Sequence, residues 1–381
     1  MRKMLVLLLC CLLALTACAA SRAEVSLVSI NVGKADCHLL YVDDQVYMVD
    51  TGAAQSWGMV SRTLKCLNVT RLNGVILTHT DKDHAGGILA LASSDLPVDG
   101  WYSAAYFTDV KEKKHPAVKA AALRDTTVQW LQAGDSIPAG DVTLQVLAPA
   151  YLDEDNENNN SVVLYLQCAA GSMLLMGDAE KESEAALLAE NRVGPVSVLK
   201  VGHHGEGDAS SKDFLRVVRP QVAVISTNTA EEPDTPAAKV LRRLEELGSQ
   251  VVQTQTAGDA VRVTLTGDVL KVEPLTFSLP AQTAQVVLAD KSIAQDAVTL
   301  RNDGDTIADL SGWYLFSEKG KELFVFPQGA ALAPGASCTV VTLSTESAGD
   351  YLWQEERVWH ETKPDTAVLC DVYGREVSRL D

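Results

Sequence analysis

The sequence predicts an α/β body joined to a small all-β sandwich, and three observations carry that expectation. From Val25 to about Leu275, short β-branched runs alternate with helical stretches, as they do where sheets and helices pack in layers. Over residues 275–285 the alternation breaks, and beyond it only short strands separated by Gly, Asp and Pro turns follow. The length, 381 residues, exceeds what one core usually accommodates.

In chain order, residues 1–17 come first and are a different material. Arg2 and Lys3 form a basic start, residues 4–15 are apolar without interruption, and Leu15, Thr16, Ala17 and Cys18 follow, which reads as a secretory signal. The apolar run is too short to span a bilayer comfortably. Its ending resembles the bacterial lipobox, which implies lipidation of Cys18 and a lipid anchor on the outer face of the cell membrane. An ordinary signal peptide with an incidental Cys is the alternative.

Residues 25–32, 37–42, 46–49 and 75–78 read as strands and 56–67 as the first helix. Further strands are expected at 142–147, 162–167, 173–176, 196–201 and 222–227, with a pair around Val261 and Val269. Helices are expected at 180–190, 211–218 and 237–247. The polar loop 153–160 reads as solvated surface. In the C-terminal part, strands are expected at 298–301, 313–316, 323–326, 338–343 and 367–369.

Composition narrows the function. Lys+Arg 32 against Asp+Glu 50 gives a net charge of −18, which argues against a broad basic surface gripping nucleic acid by phosphate neutralisation alone. A polyanionic substrate must be held locally. Beyond Cys10, Cys11 and Cys18, five cysteines remain, and an odd number without a CxxC pair argues against both a disulfide framework and a Cys-based zinc cluster. A Cys338–Cys370 pairing stays open.

The strongest chemical signal is Thr78-His79-Thr80-Asp81-Lys82-Asp83-His84-Ala85-Gly86-Gly87, directly after an apolar strand. Two of the seven His and two Asp fall within six residues, a density that a charged helix cap does not account for and a metal site does. Asp178 follows the apolar run 173–176, and Lys200, His203 and His204 close the run that starts at Val196. Ligands presented at strand ends are what an α/β sheet offers.

Together with Asn31-Val32-Gly33-Lys34-Ala35-Asp36, Val49-Asp50-Thr51-Gly52, Asn159-Asn160-Ser161 and Gly177-Asp178-Ala179-Glu180, these motifs resemble the metallo-β-lactamase domain of ComEC-like competence proteins. The resemblance implies an αββα sandwich over residues 24–275 and metal-dependent phosphodiester hydrolysis, with DNA as the first substrate. It implies two divalent ions, zinc or manganese, which would lower the pKa of a shared water and polarise the phosphoryl oxygen it attacks. His79 and Asp81 would hold one ion and Asp83 with His84 the other, with Asp178 bridging. His203 would be the late ligand and His204 a supporting or proton-transfer group, so that Asp83, His204 and Lys200 form the catalytic set. Glu206 lies near the same stretch. Asp50 would brace the ligand loop, since a metal-bound His donates its other N–H to such a carboxylate.

Asp81, where many relatives carry His, makes the donor set richer in oxygen and opens it to Mn²⁺ as well as Zn²⁺. Asn160 is assigned either to the ligand region or to a structural turn. His115, in a charged stretch, reads as solvated surface. Thr235 stands where the competence pattern has a His before Pro236, which removes a candidate proton donor.

After a linker at 276–285, residues 286–381 resemble the lamin-tail domain, through Leu300-Arg301-Asn302-Asp303-Gly304, Ser311-Gly312-Trp313-Tyr314 and Leu332-Ala333-Pro334-Gly335. This implies an immunoglobulin-like sandwich, with a surface or nucleic-acid ligand as its candidate partner. Trp353 and Trp359 read as packing residues. Two alternatives stand beside the nuclease reading: a hydrolase of a cell-surface or small-molecule phosphoester, and a catalytically silent surface-binding lipoprotein.

Overall fold

In the computed structural model, residues 24–344, 348–359, 362 and 364–381 are described, so the export segment and Cys18 lie outside the described residues. Two sheets are built from the apolar runs. In chain order the strands are β1 (Val25–Ile30), β2 (His38–Val42), β3 (Gln45–Val49), β4 (Gly74–Leu77), β5 (Trp101–Ala104), β6 (Val128–Leu131), β7 (Ser136–Ala139) and β8 (Val142–Ala148). They continue with β9 (Val163–Cys168), β10 (Gly171–Leu175), β11 (Val198–Lys200), β12 (Val222–Ile225), β13 (Gln250–Gln253), β14 (Ala260–Thr266) and β15 (Val269–Leu275). One sheet runs β15-β14-β1-β2-β3-β4-β5-β6 and the other β13-β12-β11-β10-β9-β8-β7.

Alternation along the strands makes three layers of contact. Val25 and Leu27 face the core between the sheets with Leu144, Leu164, Met173 and Val224. Val28 and Ile30 of the same strand face outward, beneath the helices α1 (Trp57–Cys66), α2 (Lys82–Ala85), α3 (Ile88–Ser93) and α4 (Pro116–Ala122). The second sheet's outer face, with Leu174, Leu199 and Ala223, is covered by α5 (Lys181–Ala189), α6 (Lys212–Val218) and α7 (Ala238–Glu246). The result is the αββα sandwich. Helix α4 and strands β5 to β7 go beyond the sequence expectation, because they are short and lack a clean period.

Residues 276–285 carry no helix or strand. Beyond them lie β16 (Val286–Ser292), β17 (Ala297–Asn302), β18 (Ala308–Asp309), β19 (Tyr314–Ser317), β20 (Leu323–Val325), β21 (Ala331–Leu332), β22 (Ser337–Thr342), β23 (Tyr351–Trp353), β24 (Ala367–Cys370) and β25 (Glu376–Leu380). They form sheets β16-β17-β22-β23 and β20-β19-β24-β25 with a small β18-β21 pair, around a core that includes Trp313, Phe326, Trp353 and Trp359. Both late tryptophans pack, their rings 6.0 Å apart. Cys338 and Cys370 are free and buried, on different sheets.

The sandwich seats on α1. Tyr314, Val325, Val368 and Cys370 join the outer core of the first sheet. Ser61 Oγ donates to the Val372 carbonyl at 2.8 Å and Arg62 Nε to the Tyr373 carbonyl at 2.9 Å.

Candidate metal centre

The site forms where parallel strands of both sheets end. β3 and β4 run parallel and release Asp50 and His79, while β10 and β11 run parallel and release Asp178 and the His203-His204 pair. Gly177, at φ 55°, lets the sheets meet here, since a Cβ would stand 2.9 Å from the Thr78 Cβ. Gly87 is pressed onto the Thr51 carbonyl, and the Thr51 amide donates to the His84 carbonyl at 2.7 Å, which draws the His-rich turn against the Asp50 loop.

Asp83, His84, Asp178 and His204 converge. His84 Nε2 lies 3.0 Å and His204 Nε2 3.4 Å from Asp178 Oδ2, and His204 Nε2 is also 3.4 Å from Asp83 Oδ2. Each imidazole is fixed from behind. His84 Nδ1 donates to Asp50 Oδ2 at 2.8 Å, His204 Nδ1 donates to the Ser226 carbonyl at 3.1 Å, and His79 Nδ1 meets the Thr78 hydroxyl at 3.1 Å. That hydroxyl is itself committed to Asp50 at 2.8 Å. Every ring therefore presents Nε2 forward.

The forward atoms fit divalent ions. His79 Nε2, His84 Nε2, His204 Nε2 and Asp178 Oδ1 are buried without a hydrogen-bond partner, an arrangement that proteins avoid unless a ligand completes it. Separations of 3.0–3.4 Å are those of ligands about 2.0–2.2 Å from one ion. His79 and Asp81 adjoin this group, with Nε2 3.7 Å from Asp81 Oδ2 and the His79 ring 4.2 Å from that of His84. Electrostatics agree. Burial opposes charge on His84 and His204, but Asp178 above all reverses it, raising His84 well above the usual imidazole range and His204 to about 9. Burial works against ionising Asp83 as well, yet His204 and His84 pull it down to about 2. Carboxylates that favour a proton on Nε2 favour a cation there.

The structure corrects the sequence expectation at His203, Lys200, the 153–160 loop and His115, and it decides the role left open for Asn160. His204, not His203, joins the cluster: consecutive left-handed residues, His203 at φ 46° and His204 at φ 51°, turn the two rings apart. His203 faces Asp208 at 3.0 Å and Asn158 at 3.3 Å. Lys200 does not reach a substrate. It is buried, its Nζ 2.6 Å from Asp36 Oδ2, and Asp36 Oδ1 stands 3.7 Å behind His204 Nδ1. Asn160 takes the structural-turn role, its Oδ1 accepting from the Asp153 amide and its Nδ2 donating to the Asp153 carbonyl. The loop around it is not simple solvated surface, because Glu157 is buried and accepts from Thr80 at 3.0 Å and from the Thr108 amide at 2.7 Å.

His115 is buried as well, its ring 4.7 Å from Phe107 and 5.2 Å from Trp130 in edge contacts. Thr235 is buried, its carbonyl accepting from Thr227 Oγ1 at 2.9 Å. Two residues near the cluster were not singled out from the sequence as site residues, Asp36 and Lys34. Both stand in the Asn31-to-Asp36 run that carried the resemblance, which was the signal available.

Residues 30–229 match the family model described as the metallo-beta-lactamase superfamily, and residues 280–381 that of the lamin tail domain. The chain is 26% identical over 272 residues to ComE operon protein 3 of Bacillus subtilis (strain 168), a match covering 66% of this chain and 34% of that one. It is 27% identical over 250 residues to Recombination protein 2 of Haemophilus influenzae, covering 64% and 29%. To Competence protein ComA of Neisseria gonorrhoeae it is 28% identical over 232 residues, covering 61% and 30%. The chain thus spans about a third of the length of these curated relatives.

Proposed function

The chain belongs to the metallo-beta-lactamase superfamily, and from that premise we propose a metal-dependent phosphodiesterase whose ions are held by Asp83, His84, Asp178 and His204, with His79 and Asp81 beside them. The observation that carries the reading is the convergence of the buried, unpaired Nε2 atoms of His84 and His204 on the Asp178 and Asp83 carboxylates, with the unpaired His79 Nε2 beside them, 3.7 Å from Asp81. When bound, such ions supply a nucleophilic water near neutral pH and polarise the phosphoryl oxygen.

The chain's own residues do the positioning. Asp50 holds His84 in the tautomer that exposes Nε2, and through Thr78 it reaches His79 as well. The Ser226 carbonyl does the same for His204. Asp83, ionised at neutral pH and partly open to solvent, acts as ligand and acceptor where substrate would enter. The buried Asp36–Lys200 pair supports the floor beneath His204.

Relatives named for competence and recombination support a phosphodiester of nucleic acid among the substrates, while −13 over residues 24–280 and −8 beyond support slow cleavage of DNA compared with a small diester. The basic start, apolar run and Cys18 support export and a lipid anchor. Metal analysis of protein loaded with Mn²⁺ or Zn²⁺, followed by phosphodiester, thioester and β-lactam substrates, tests the reading. About two ions per chain and diester turnover are expected. A protein that stays metal-free in excess of both ions, or robust lactam turnover without diester turnover, would overturn it.

A further inference from the structure

Lys34 lies in the loop between β1 and β2, at the mouth of the metal cluster. Its Nζ is 3.0 Å from Glu206 Oε1, 3.4 Å from Glu232 Oε2 and 4.0 Å from Asp83 Oδ2. Its amide donates to Glu231 Oε2 at 3.0 Å, and Asn228 Nδ2 secures the other Glu231 oxygen at 2.8 Å. Three separate segments therefore meet on one residue.

An ammonium carries three donors and no acceptor. Glu206 and Glu232 lie within reach of two of them, and Asp83 is too distant to accept the third. The Lys34 side chain is 18% exposed and that of Asp83 29%, whereas His84 and His204 are sealed, so Lys34 and Asp83 stand where the cluster meets solvent. Lys200, the cation assigned from the sequence to the catalytic set, is spent on Asp36.

We propose that Lys34 is the substrate-anchoring residue of this site: its third N–H takes a non-bridging phosphoryl oxygen, while Glu206 and Glu232 hold it beside Asp83 and confine the site to a phosphoester presenting a single phosphate group. The inference rests on the phosphoesterase reading above. A duplex would bring neighbouring phosphates against exposed Glu231, Glu232 and Asp234, where like charges repel. A small diester meets only the ammonium and the centre behind it.

The test uses the full chain loaded with Mn²⁺, titrated calorimetrically with inorganic phosphate and assayed with bis(4-nitrophenyl) phosphate. Lys34→Gln is expected to weaken phosphate binding by about tenfold or more, the worth of one charge-assisted hydrogen bond, and to raise KM with kcat and metal content little changed. Lys34→Arg should restore most of the affinity, and Glu232→Gln should let a duplex oligonucleotide compete more strongly. Phosphate binding that is unchanged in Lys34→Gln, or absent from the loaded wild type, would overturn the proposal, as would loss of metal in step with loss of phosphate. If phosphate binds through Lys34 while the wild type turns over no diester, this inference stands and the phosphodiesterase reading falls.

Discussion

His84 Nδ1 donates to Asp50 Oδ2 at 2.8 Å, and the same carboxylate accepts the Thr78 amide and hydroxyl, each at 2.8 Å. Asp50 reaches back to make these bonds because it sits at φ 59°, a conformation that a non-glycine residue adopts only when its surroundings compensate. One buried carboxylate thereby sets the orientation of His84 and, through Thr78, that of His79. Asp50→Asn should weaken metal binding by roughly 10–100-fold, the usual effect of removing a carboxylate behind a ligating His. Competition with a chelator of known affinity measures this, and an unchanged affinity would remove Asp50 from the site.

The two adjacent histidines make opposite predictions. His204→Ala should lose metal and activity together, because its Nε2 stands between Asp83 and Asp178. His203→Ala should keep near-normal metal content, since its contacts are to Asp208, Asn158 and Glu180. Elemental analysis of the two purified variants decides, and the reverse order would mean that His203 swings inward on loading.

Much of this centre was legible in the sequence, and the parts that were not have physical reasons. Four ligand-type residues within six positions, followed by Gly86-Gly87, announce themselves, and Asp50 and Asp178 directly follow apolar runs. The choice between His203 and His204 depends on two left-handed residues, and neither carries the glycine that usually marks such a conformation. Lys200 reads from the sequence as a cation free to serve the catalytic set because its partner Asp36 arrives from the other sheet, 164 positions earlier. Strand β16 escaped notice because its second half is Ala-Asp-Lys-Ser, which satisfies no apolar pattern.

Helix α1 meets the C-terminal sandwich where Gly58 faces Gly374. A Cβ on Gly58 would stand 2.6 Å from the Tyr314 hydroxyl oxygen and 2.8 Å from the Gly374 Cα, and Gly374 itself is at φ 74°. On an open helix face Gly58→Ala would stabilise by up to about 1 kcal/mol. Here the backbone approach should win and destabilise by about 1–3 kcal/mol. Denaturant unfolding gives the sign, and a stabilised variant would show that this contact does not form.

The proposed lipidation of Cys18 would tie the chain to a membrane. A single Cys18→Ser change should move the protein from the membrane fraction to the soluble fraction of its host, since an acyl anchor supplies the hydrophobic attachment. Equal solubility of wild type and variant would count against lipidation.

His115 offers a pH dependence away from the proposed metal ligands. Burial pushes its pKa from 6.5 to about 4, and the neutral ring caps α4 by accepting the Ala117 N–H at Nδ1, a contact that a second ring proton would abolish. Between those two values the unfolded chain binds more protons than the folded one. The stability contributed by His115 is therefore fully present above pH 6.5 and is lost as pH falls towards 4, with no further change from this group below that. The interval corresponds to about 3 kcal/mol. His115→Asn keeps an acceptor for the cap but does not titrate, so its unfolding free energy should be lower at pH 7 and flatter between pH 6.5 and 4. Parallel slopes for the two proteins across that window would mean that the ring is solvated after all, against its contacts with Phe107 and Trp130.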